Sequence, residues 1–154
     1  MEDQNKNNQS IIESVNELLS KMDIKATVEE GMMGDTSTFV IRTSEAGLLI
    51  GEDGQNLLAL NYLLRKMAEK KLGQQPPYFI IDVNDYQRRR FDELKDRARM
   101  GAQRVRYFKK EVALQPMDAL ERRVVHMALQ EYPDITTQST GEGPQRRVVI
   151  KPYP

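Results

Sequence analysis

The chain of 154 residues is 39% hydrophobic and 30% charged, as is typical of a soluble globular protein with room for two small cores. It has no cysteine, which excludes disulfides and thiolate metal sites and fits a reducing compartment. It has no apolar run near the roughly 18 residues needed to cross a bilayer, and its polar, acidic start predicts neither a signal peptide nor membrane insertion.

The net charge of zero conceals an asymmetry between the two halves of the chain. Residues 1–85 carry 8 Lys and Arg against 14 Asp and Glu, a net charge of −6, whereas residues 86–154 carry 15 against 9, a net charge of +6. Because a cationic surface attracts polyanions, the second half is the candidate for binding one.

The first part of the chain predicts a helix followed by a β-hairpin. Residues 1–9 are polar, and we expect them to be disordered. Alternating residues over 24–31 and β-branched residues over 36–43 predict two strands, joined by a turn at Gly34 and Asp35. Apolar residues at helical spacing predict the helix before them: Ile11, Val15, Leu18 and Met22.

Two glycines, Gly51 and Gly54, interrupt a helical pattern in the next part of the chain. Residues 46–50 have room for one helical turn, and the apolar spacing after Gly54 predicts a long amphipathic helix. A Gly-x-x-Gly turn lets backbone approach a partner closely and aims amide groups at it from a helix N-terminus. A nearly continuous apolar strand is predicted afterwards, at residues 78–83.

A long helix is predicted from Tyr86 to about Leu114, because apolar residues recur along it at helical spacing. Gly101 on this seam costs about 1 kcal/mol relative to alanine, so we expect either a closely packed helix or a bend there. The Arg and Lys residues on the other faces indicate either a polyanion-binding surface or a solvated helix with local acidic partners. The seam consists of Phe91, Leu94, Ala98, Gly101, Val105, Phe108 and Val112.

Asp118 followed by Glu121 predicts a capping box at the start of another helix. Arg122 and His126 lie at i and i+4 on it, so we expect them to be neighbours, with Arg123 beside them, on the narrow face that this helix offers to water. The alternative is that a mostly buried helix places these polar residues on its open side without a further role.

A hairpin is predicted at the end of the chain, from strands at residues 135–139 and 146–151 around a glycine-rich turn. It brings Arg146 and Arg147 into the same small unit as Arg122. Because side chains alternate along a strand, one of the paired arginines is expected to face the helix and the other to face solvent.

Two stretches of the second half carry a specific resemblance. Residues 120–130, Leu-Glu-Arg-Arg-Val-Val-His-Met-Ala-Leu-Gln, and residues 136–152, Thr-Thr-Gln-Ser-Thr-Gly-Glu-Gly-Pro-Gln-Arg-Arg-Val-Val-Ile-Lys-Pro, resemble the R-three-H domain, named for an arginine and a histidine separated by three residues. In the first half, the predicted order α-β-β-α-α-β, with Gly-x-x-Gly between its middle helices, resembles the type II KH fold, whose loop clamps nucleic-acid backbone. Together they resemble the bacterial Jag family of KH and R-three-H proteins, also called the SpoIIIJ-associated or KhpB/EloR family.

The resemblance implies an α+β chain in which a type II KH domain at residues 10–85 is joined by a long helix to a small α+β R-three-H domain at residues 86–154. It implies a cytoplasmic protein that binds single-stranded RNA, acts in post-transcriptional regulation and is linked to cell elongation and envelope synthesis. It also implies pairing through the KH domain, as a homodimer or with a small KH-only protein. Family members usually begin with an additional Jag domain, which we expect this chain to lack.

The site residues of the family carry over by position: the two glycines match the clamping loop, and Arg122 and His126 match the namesake pair. The loop reads Gly-Glu-Asp-Gly, whereas clamping loops commonly hold a basic residue there. We therefore expect the KH half to add little phosphate affinity and to serve in dimerisation or base contacts. The expected nucleic-acid-binding residues are Gly51, Glu52, Asp53, Gly54, Arg122, Arg123, His126, Arg146 and Arg147.

Two other classes of function compete with RNA binding. An adaptor that docks a protein through the KH domain or the long helix is the alternative, and it predicts partner binding that is insensitive to Arg122→Ala. We expect no enzyme and no cofactor, because one histidine, no cysteine and no Gly-x-x-x-x-Gly-Lys loop leave no activated nucleophile with an orienting partner.

Overall fold

In the computed structural model, which describes residues 1–154, the chain forms two compact units, residues 1–88 and 89–154. Each unit has its own three-stranded sheet and its own hydrophobic core. The α+β architecture expected from the sequence is confirmed. None of the helices is both long enough and apolar enough to span a bilayer.

The first unit contains α1 (Glu2–Lys21), β1 (Thr27–Met33), β2 (Thr36–Arg42), α2 (Ala46–Ile50), α3 (Gln55–Leu72) and β3 (Phe79–Val83). Helix α4 (Tyr86–Phe108) begins in this unit and continues into the second one, which also contains β4 (Val112–Ala113), α5 (Ala119–Leu129), β5 (Ile135–Thr140) and β6 (Arg147–Pro152). Short 3-10 turns occupy Glu52–Gly54 and Gly143–Gln145.

The first sheet has the order β1-β2-β3, in which β1 and β2 form the predicted antiparallel hairpin and β3 runs parallel to β2. Helices α1 and α3 pack side by side, and their apolar residues meet one face of this sheet. Phe39 and Phe79 contact each other edge to face in that core, with ring centroids 5.7 Å apart. This is the α-β-β-α-α-β order of the type II KH fold.

Asn61 fastens α3 to the edge strand β3. Its Oδ1 accepts the amide hydrogen of Ile81 at 2.8 Å, and its Nδ2 donates to the carbonyl of Ile81 at 2.9 Å and to the carbonyl of Leu57 at 3.0 Å. The side chain is buried, so its two bonds to Ile81 replace the water that the amide and the carbonyl of this residue would otherwise need.

Asp82 fixes the start of α4. Its buried carboxylate accepts hydrogen bonds from the backbone amides of Val83 at 2.7 Å, Gln87 at 2.8 Å and Arg88 at 3.1 Å. Because the first amides of a helix have no partner within the helix, this carboxylate satisfies them and complements the positive end of the helix dipole.

The second sheet has the order β4-β6-β5, with β6 in the centre and both pairings antiparallel. Its core joins apolar residues of α4, α5, β5 and β6. A Cβ at Gly101 would lie 2.8 Å from Cδ1 of Ile150, which is in β6. We expected a second helix to approach Gly101 closely, but the element that does so is strand β6.

The structure differs from the expected disorder at residues 1–9, because α1 begins at Glu2. Glu2 and Asp3 lie in its first turn, where negative charge is stabilised by the helix dipole. Extending an existing helix also costs less free energy than nucleating one. The helix formed by the amphipathic part of α1 therefore extends back through the polar residues before it.

The structure also ends α4 at Phe108, six residues before the predicted end near Leu114. Lys109 has a φ of 56°, in the left-handed region that stops a helix, and Val112 pairs with Ile150 across the β4 and β6 strands. Phe108, which we predicted on the buried seam, is 60% exposed. The seven-residue spacing continued past the helix because Val112 packs against the same core from a strand.

Candidate nucleic-acid interface

The Gly-x-x-Gly turn adopts a backbone that requires its first glycine. Gly51 has φ 71° and ψ −177°, and a Cβ there would lie 2.6 Å from Cγ of Asn56. Asn56 is held in place by a 3.0 Å hydrogen bond from its Nδ2 to the carbonyl of Leu48. Gly54, with φ 78°, starts α3 from a left-handed conformation. The turn thus presents bare backbone before the N-terminus of a five-turn helix.

Glu52 and Asp53 are the exposed residues between the two glycines. Asp53 itself has a positive φ of 53°, which aspartate tolerates better than most residues. In solvent, a carboxylate about 4 Å from a phosphate repels it by about 1 kcal/mol. The loop therefore exposes two carboxylates that oppose the charge of a phosphate.

Helix α5 begins with the predicted capping box, which is confirmed. The amide of Glu121 donates to Oδ1 of Asp118 at 2.8 Å, and the amide of Asp118 donates to Oε2 of Glu121 at 3.1 Å. Glu121 is buried and also accepts a 2.8 Å hydrogen bond from Nε of Arg90 on α4. The N-terminus of α5 is thereby fixed against α4 within the second unit.

His126 is held between α5 and β5 by two hydroxyl groups. Its Nδ1 lies 2.6 Å from Oγ1 of Thr137, and its Nε2 lies 3.0 Å from Oγ of Ser139. A hydroxyl can donate or accept, so these partners satisfy both nitrogens of a neutral imidazole. Burial lowers the pKa of His126 from its ordinary 6.5, and the positive charge of Arg122 lowers it further, so the ring is neutral at pH 7.

Arg122 is half-buried beside His126 and is fixed by the backbone. Its Nη1 donates to the carbonyl of Met117 at 2.7 Å, and the amide of Met117 donates to the carbonyl of Arg146 at 3.1 Å. Met117 thus connects the guanidinium of Arg122, on α5, to the backbone of Arg146, just before β6. This places Arg122, His126 and the backbone of Arg146 in one cluster.

The other predicted arginines are arranged differently. Arg123, rather than Arg122 or His126, lies on the most exposed edge of α5, one turn before the exposed Met127. We expected Arg122 and His126 to be neighbours on the face that α5 offers to water, but both are half-buried, and His126 is hydrogen-bonded to β5. Arg147 is paired with Thr140, the next residue after Ser139, so it points away from the face that receives His126.

The guanidinium groups of Arg146 and Arg147 are directed at the turn between β5 and β6. Arg146 donates from Nη1 to the carbonyl of Gly141 at 2.8 Å, and Arg147 donates from Nε to the carbonyl of Gln145 at 3.2 Å. Both bonds are near the surface, where water competes with them. Of the predicted arginines, Arg122 alone has its guanidinium fixed beside His126, and a guanidinium is a group of the kind that holds phosphate oxygens.

Thr137 and Ser139 were not identified as site residues from the sequence. Their spacing of two on a predicted strand placed both on one face, but the face that meets His126 follows from the register of β5 against β6. A hydroxyl pair at i and i+2 opposite a lone histidine is the signal that could have identified them.

The fold and this site define a protein made of a type II KH domain and an R-three-H domain. The sequence profile of the KH domain matches residues 10–113, and that of the R-three-H domain matches residues 92–152. The chain therefore belongs to the KH and R-three-H proteins of the bacterial Jag (KhpB) family.

The chain is similar to several bacterial proteins named RNA-binding protein KhpB. It is 36% identical over 112 residues to the protein of Clostridium symbiosum, covering 71% of this chain and 49% of the relative. It is 35% identical over 126 residues to that of Bacillus subtilis (strain 168), covering 80% and 59%. It is 31% identical over 133 residues to that of Lactiplantibacillus plantarum, covering 86% and 41%. The chain thus spans 41% to 59% of the length of these relatives.

Proposed function

We propose that this chain binds single-stranded RNA, chiefly through the second unit, with the KH domain at residues 10–85 and the R-three-H domain at residues 86–154. The observation that carries the proposal is the α5 cluster, in which Arg122 is fixed beside His126 and two hydroxyl groups. The cationic charge of this half and the names of the relatives support it.

Each residue of the cluster has a separate role in this proposal. Arg122 and Arg146 hold phosphate oxygens through charge-assisted hydrogen bonds, and a guanidinium can do so with two parallel N–H groups. His126 is neutral and both of its ring nitrogens are bonded to hydroxyl groups, so it orders the cluster or stacks on a base rather than adding charge. Arg123, which is exposed, and Arg147, which is half-buried on the opposite face of β6, add general attraction.

A titration of fluorescent single-stranded RNA tests the proposal. We expect the double variant Arg122→Ala/His126→Ala to lose more than about 1.5 kcal/mol of binding free energy, because charge-assisted bonds are removed. Gly54→Asp should lose less, since the loop already carries two carboxylates. Thermal unfolding of each variant serves as the control for folding. Equal affinities of the double variant and the wild type would contradict the proposal.

A protein adaptor is the second candidate, and a specific surface favours it. Leu48 on α2 and Leu58 and Tyr62 on α3 are large apolar side chains that are exposed in the first unit. Such a patch fits pairing through the KH domain, as a homodimer or with a small KH-only protein. Sedimentation of the wild type and of Leu58→Asp distinguishes the protein adaptor from the RNA binder. Loss of a dimer in Leu58→Asp, with RNA affinity unchanged, supports the adaptor.

We further propose that RNA binding takes place in the cytoplasm and serves post-transcriptional regulation, linked to cell elongation and envelope synthesis. The membership of the Jag family supports this setting. Replacing the chromosomal copy with the Arg122→Ala/His126→Ala variant should change cell length if the cluster acts through RNA.

A further inference from the structure

Two aromatic side chains at the end of α4 are directed into solvent. Tyr107 is 82% exposed and Phe108 is 60% exposed, and neither belongs to the core of the second unit. Their rings contact each other edge to face, with centroids 4.9 Å apart and planes at 78°. The pair therefore leaves aromatic surface open without contributing to the core.

In the last turn of α4, Arg106 contacts other residues of the second unit, whereas the next two residues face solvent. Arg106 is directed to Asp134, which it contacts through Nε at 2.7 Å and Nη2 at 2.6 Å, and it stacks over the ring of Tyr132 at 4.5 Å. Its neighbours Tyr107 and Phe108 turn outward instead. The ion pair fixes the position of this turn, so the exposed pair is presented by a rigid element.

Basic residues flank the aromatic pair along the chain. Arg104, Lys109 and Lys110 are exposed beside it, and Glu111 is the acidic residue next in the chain. Lys109 has a φ of 56°, a conformation in which glycine would carry less strain. Position 109 thus holds lysine, although glycine would adopt this backbone conformation with less strain.

We propose that Tyr107 and Phe108 form a stacking platform for unpaired bases of a single-stranded RNA, with Arg104, Lys109 and Lys110 holding the flanking phosphates. Aromatic side chains stack on any base, and cations beside them follow the backbone of a single strand. This inference rests on the proposed RNA binding and adds a second contact region on the same unit. It names residues outside both the Gly-x-x-Gly loop and the α5 cluster.

The surroundings of the pair favour a nucleic acid over a protein or a lipid surface. Gln103 and Arg104, one turn before the aromatic residues, are exposed and polar, and they separate the pair from the exposed Met100, so no continuous apolar stripe runs along the helix. A protein-docking face or a membrane-binding helix has a broader apolar stripe. Two rings with exposed cations next to them in the chain instead suit one or two nucleotides in size and charge.

Tryptophan fluorescence tests the stacking directly, because the chain contains no tryptophan. In Tyr107→Trp, the new indole reports on the platform alone. We expect saturable quenching by an oligouridylate of about 12 nucleotides, a length within the range of single-strand binding sites. An abasic ribose-phosphate oligomer of the same length should quench little, since it has phosphates but no bases.

Affinity measurements provide the second readout. Tyr107→Ala/Phe108→Ala should bind the oligouridylate about tenfold more weakly, as expected for the loss of one to two stacked bases, and should bind the abasic oligomer as the wild type does. Lys109→Gly removes a charge while relieving the backbone, so it should weaken the binding of both oligomers. Met100→Ala, at an exposed apolar position on the same helix, is the matched control and should have no effect.

The outcomes separate this inference from the proposed function. If the wild type binds the oligouridylate but the tryptophan is not quenched and the double alanine variant binds equally well, the platform is wrong while RNA binding stands. If the wild type binds no RNA in dilute buffer, both fall. Quenching by anionic lipid vesicles or by a protein fraction in place of RNA would also overturn the platform.

Discussion

The imidazole of His126 adds no charge to the α5 cluster at neutral pH, because its surroundings lower its pKa. Burial and the charge of Arg122 favour the neutral ring, which the hydroxyl groups of Thr137 and Ser139 satisfy. The cationic character of the cluster therefore comes from arginine, which stays charged at any physiological pH. His126 contributes order by connecting α5 to β5.

The lowered pKa of His126 predicts a pH dependence of stability. In the unfolded chain His126 has its ordinary pKa of 6.5, so between the two pKa values the unfolded state binds more protons. The free energy of unfolding of the second unit should thus fall as pH drops below about 6.5. Urea unfolding at pH 7.5 and 5.5 checks this, with His126→Gln as the control. An equal decrease in the variant would show that His126 is not responsible.

The two adjacent arginines of α5 predict unequal effects on RNA affinity. Arg122 is fixed by the carbonyl of Met117, whereas Arg123 lies on the exposed edge of the helix. Removing the ordered guanidinium should cost about 1 to 3 kcal/mol, and removing the exposed one less than about 1 kcal/mol. Binding titrations of Arg122→Ala and Arg123→Ala at one salt concentration compare them. A larger loss in Arg123→Ala would place the ligand on the outer edge instead.

Some residues of the candidate site could be predicted from the sequence, and others could not. Arg122 and His126 were recognisable because helical spacing at i and i+4 places them together without any tertiary knowledge. Thr137 and Ser139 depended on which face of β5 meets α5, and Arg147 on the same register. Register is a tertiary property, since a shift of one residue turns every side chain to the other face.

At the scale of secondary-structure elements, α3 and β3 are joined by one buried amide. Asn61→Ala should lower the free energy of unfolding of the first unit by about 2 to 4 kcal/mol, because the amide and the carbonyl of Ile81 both lose their side-chain partner. Asn16→Ala, at an exposed position of α1, should change it by less than about 0.5 kcal/mol.

Hydrogen exchange of the Ile81 amide is the sharper measurement of this contact. The amide donates to the side chain of Asn61, so its exchange should accelerate strongly in Asn61→Ala and stay slow in Asn16→Ala. Slow exchange in both variants would mean that another group protects the edge of β3.

The turn between α2 and α3 predicts a contrast between two glycines. Gly51→Ala places a Cβ 2.6 Å from Asn56 in a backbone region that only glycine occupies readily, so it should destabilise the first unit by about 1 to 3 kcal/mol. Gly47→Ala, within α2, meets no atom within 4 Å and should be neutral or stabilising by up to about 1 kcal/mol. Urea unfolding followed by circular dichroism compares them, and equal stabilities would mean that the loop is free to rearrange.

The order of the elements was predictable because each one carries its own periodicity. The residues at which each helix and strand begins and ends were harder to predict. The apolar spacing that defines α4 continues to Val112, which faces the same core from β4, and hydrophobic pattern alone cannot distinguish these cases. The polar residues 1–9 gave no sign of the helix that extends through most of them.

At the scale of the whole molecule, the two halves carry opposite charge, net −6 over residues 1–85 and net +6 over residues 86–154. Both halves belong to domain types that bind nucleic acid in other proteins, but only the second has the charge to attract a polyanion at a distance. Because the Gly51–Gly54 turn is acidic, we expect the first half to bind phosphate poorly. Sequence composition was sufficient to predict this division, because it requires no knowledge of the fold.

The salt dependence of RNA binding tests the central claim most directly. The logarithm of the association constant falls with the logarithm of salt concentration by about 0.7 for each phosphate neutralised on a single strand. If Arg122, Arg146 and nearby cations engage several phosphates, the wild type should show a slope of about −2 or steeper, and Arg122→Ala/His126→Ala a shallower slope with weaker binding. Identical slopes and affinities in both proteins, or no binding of the wild type in dilute buffer, would contradict RNA binding by the α5 cluster.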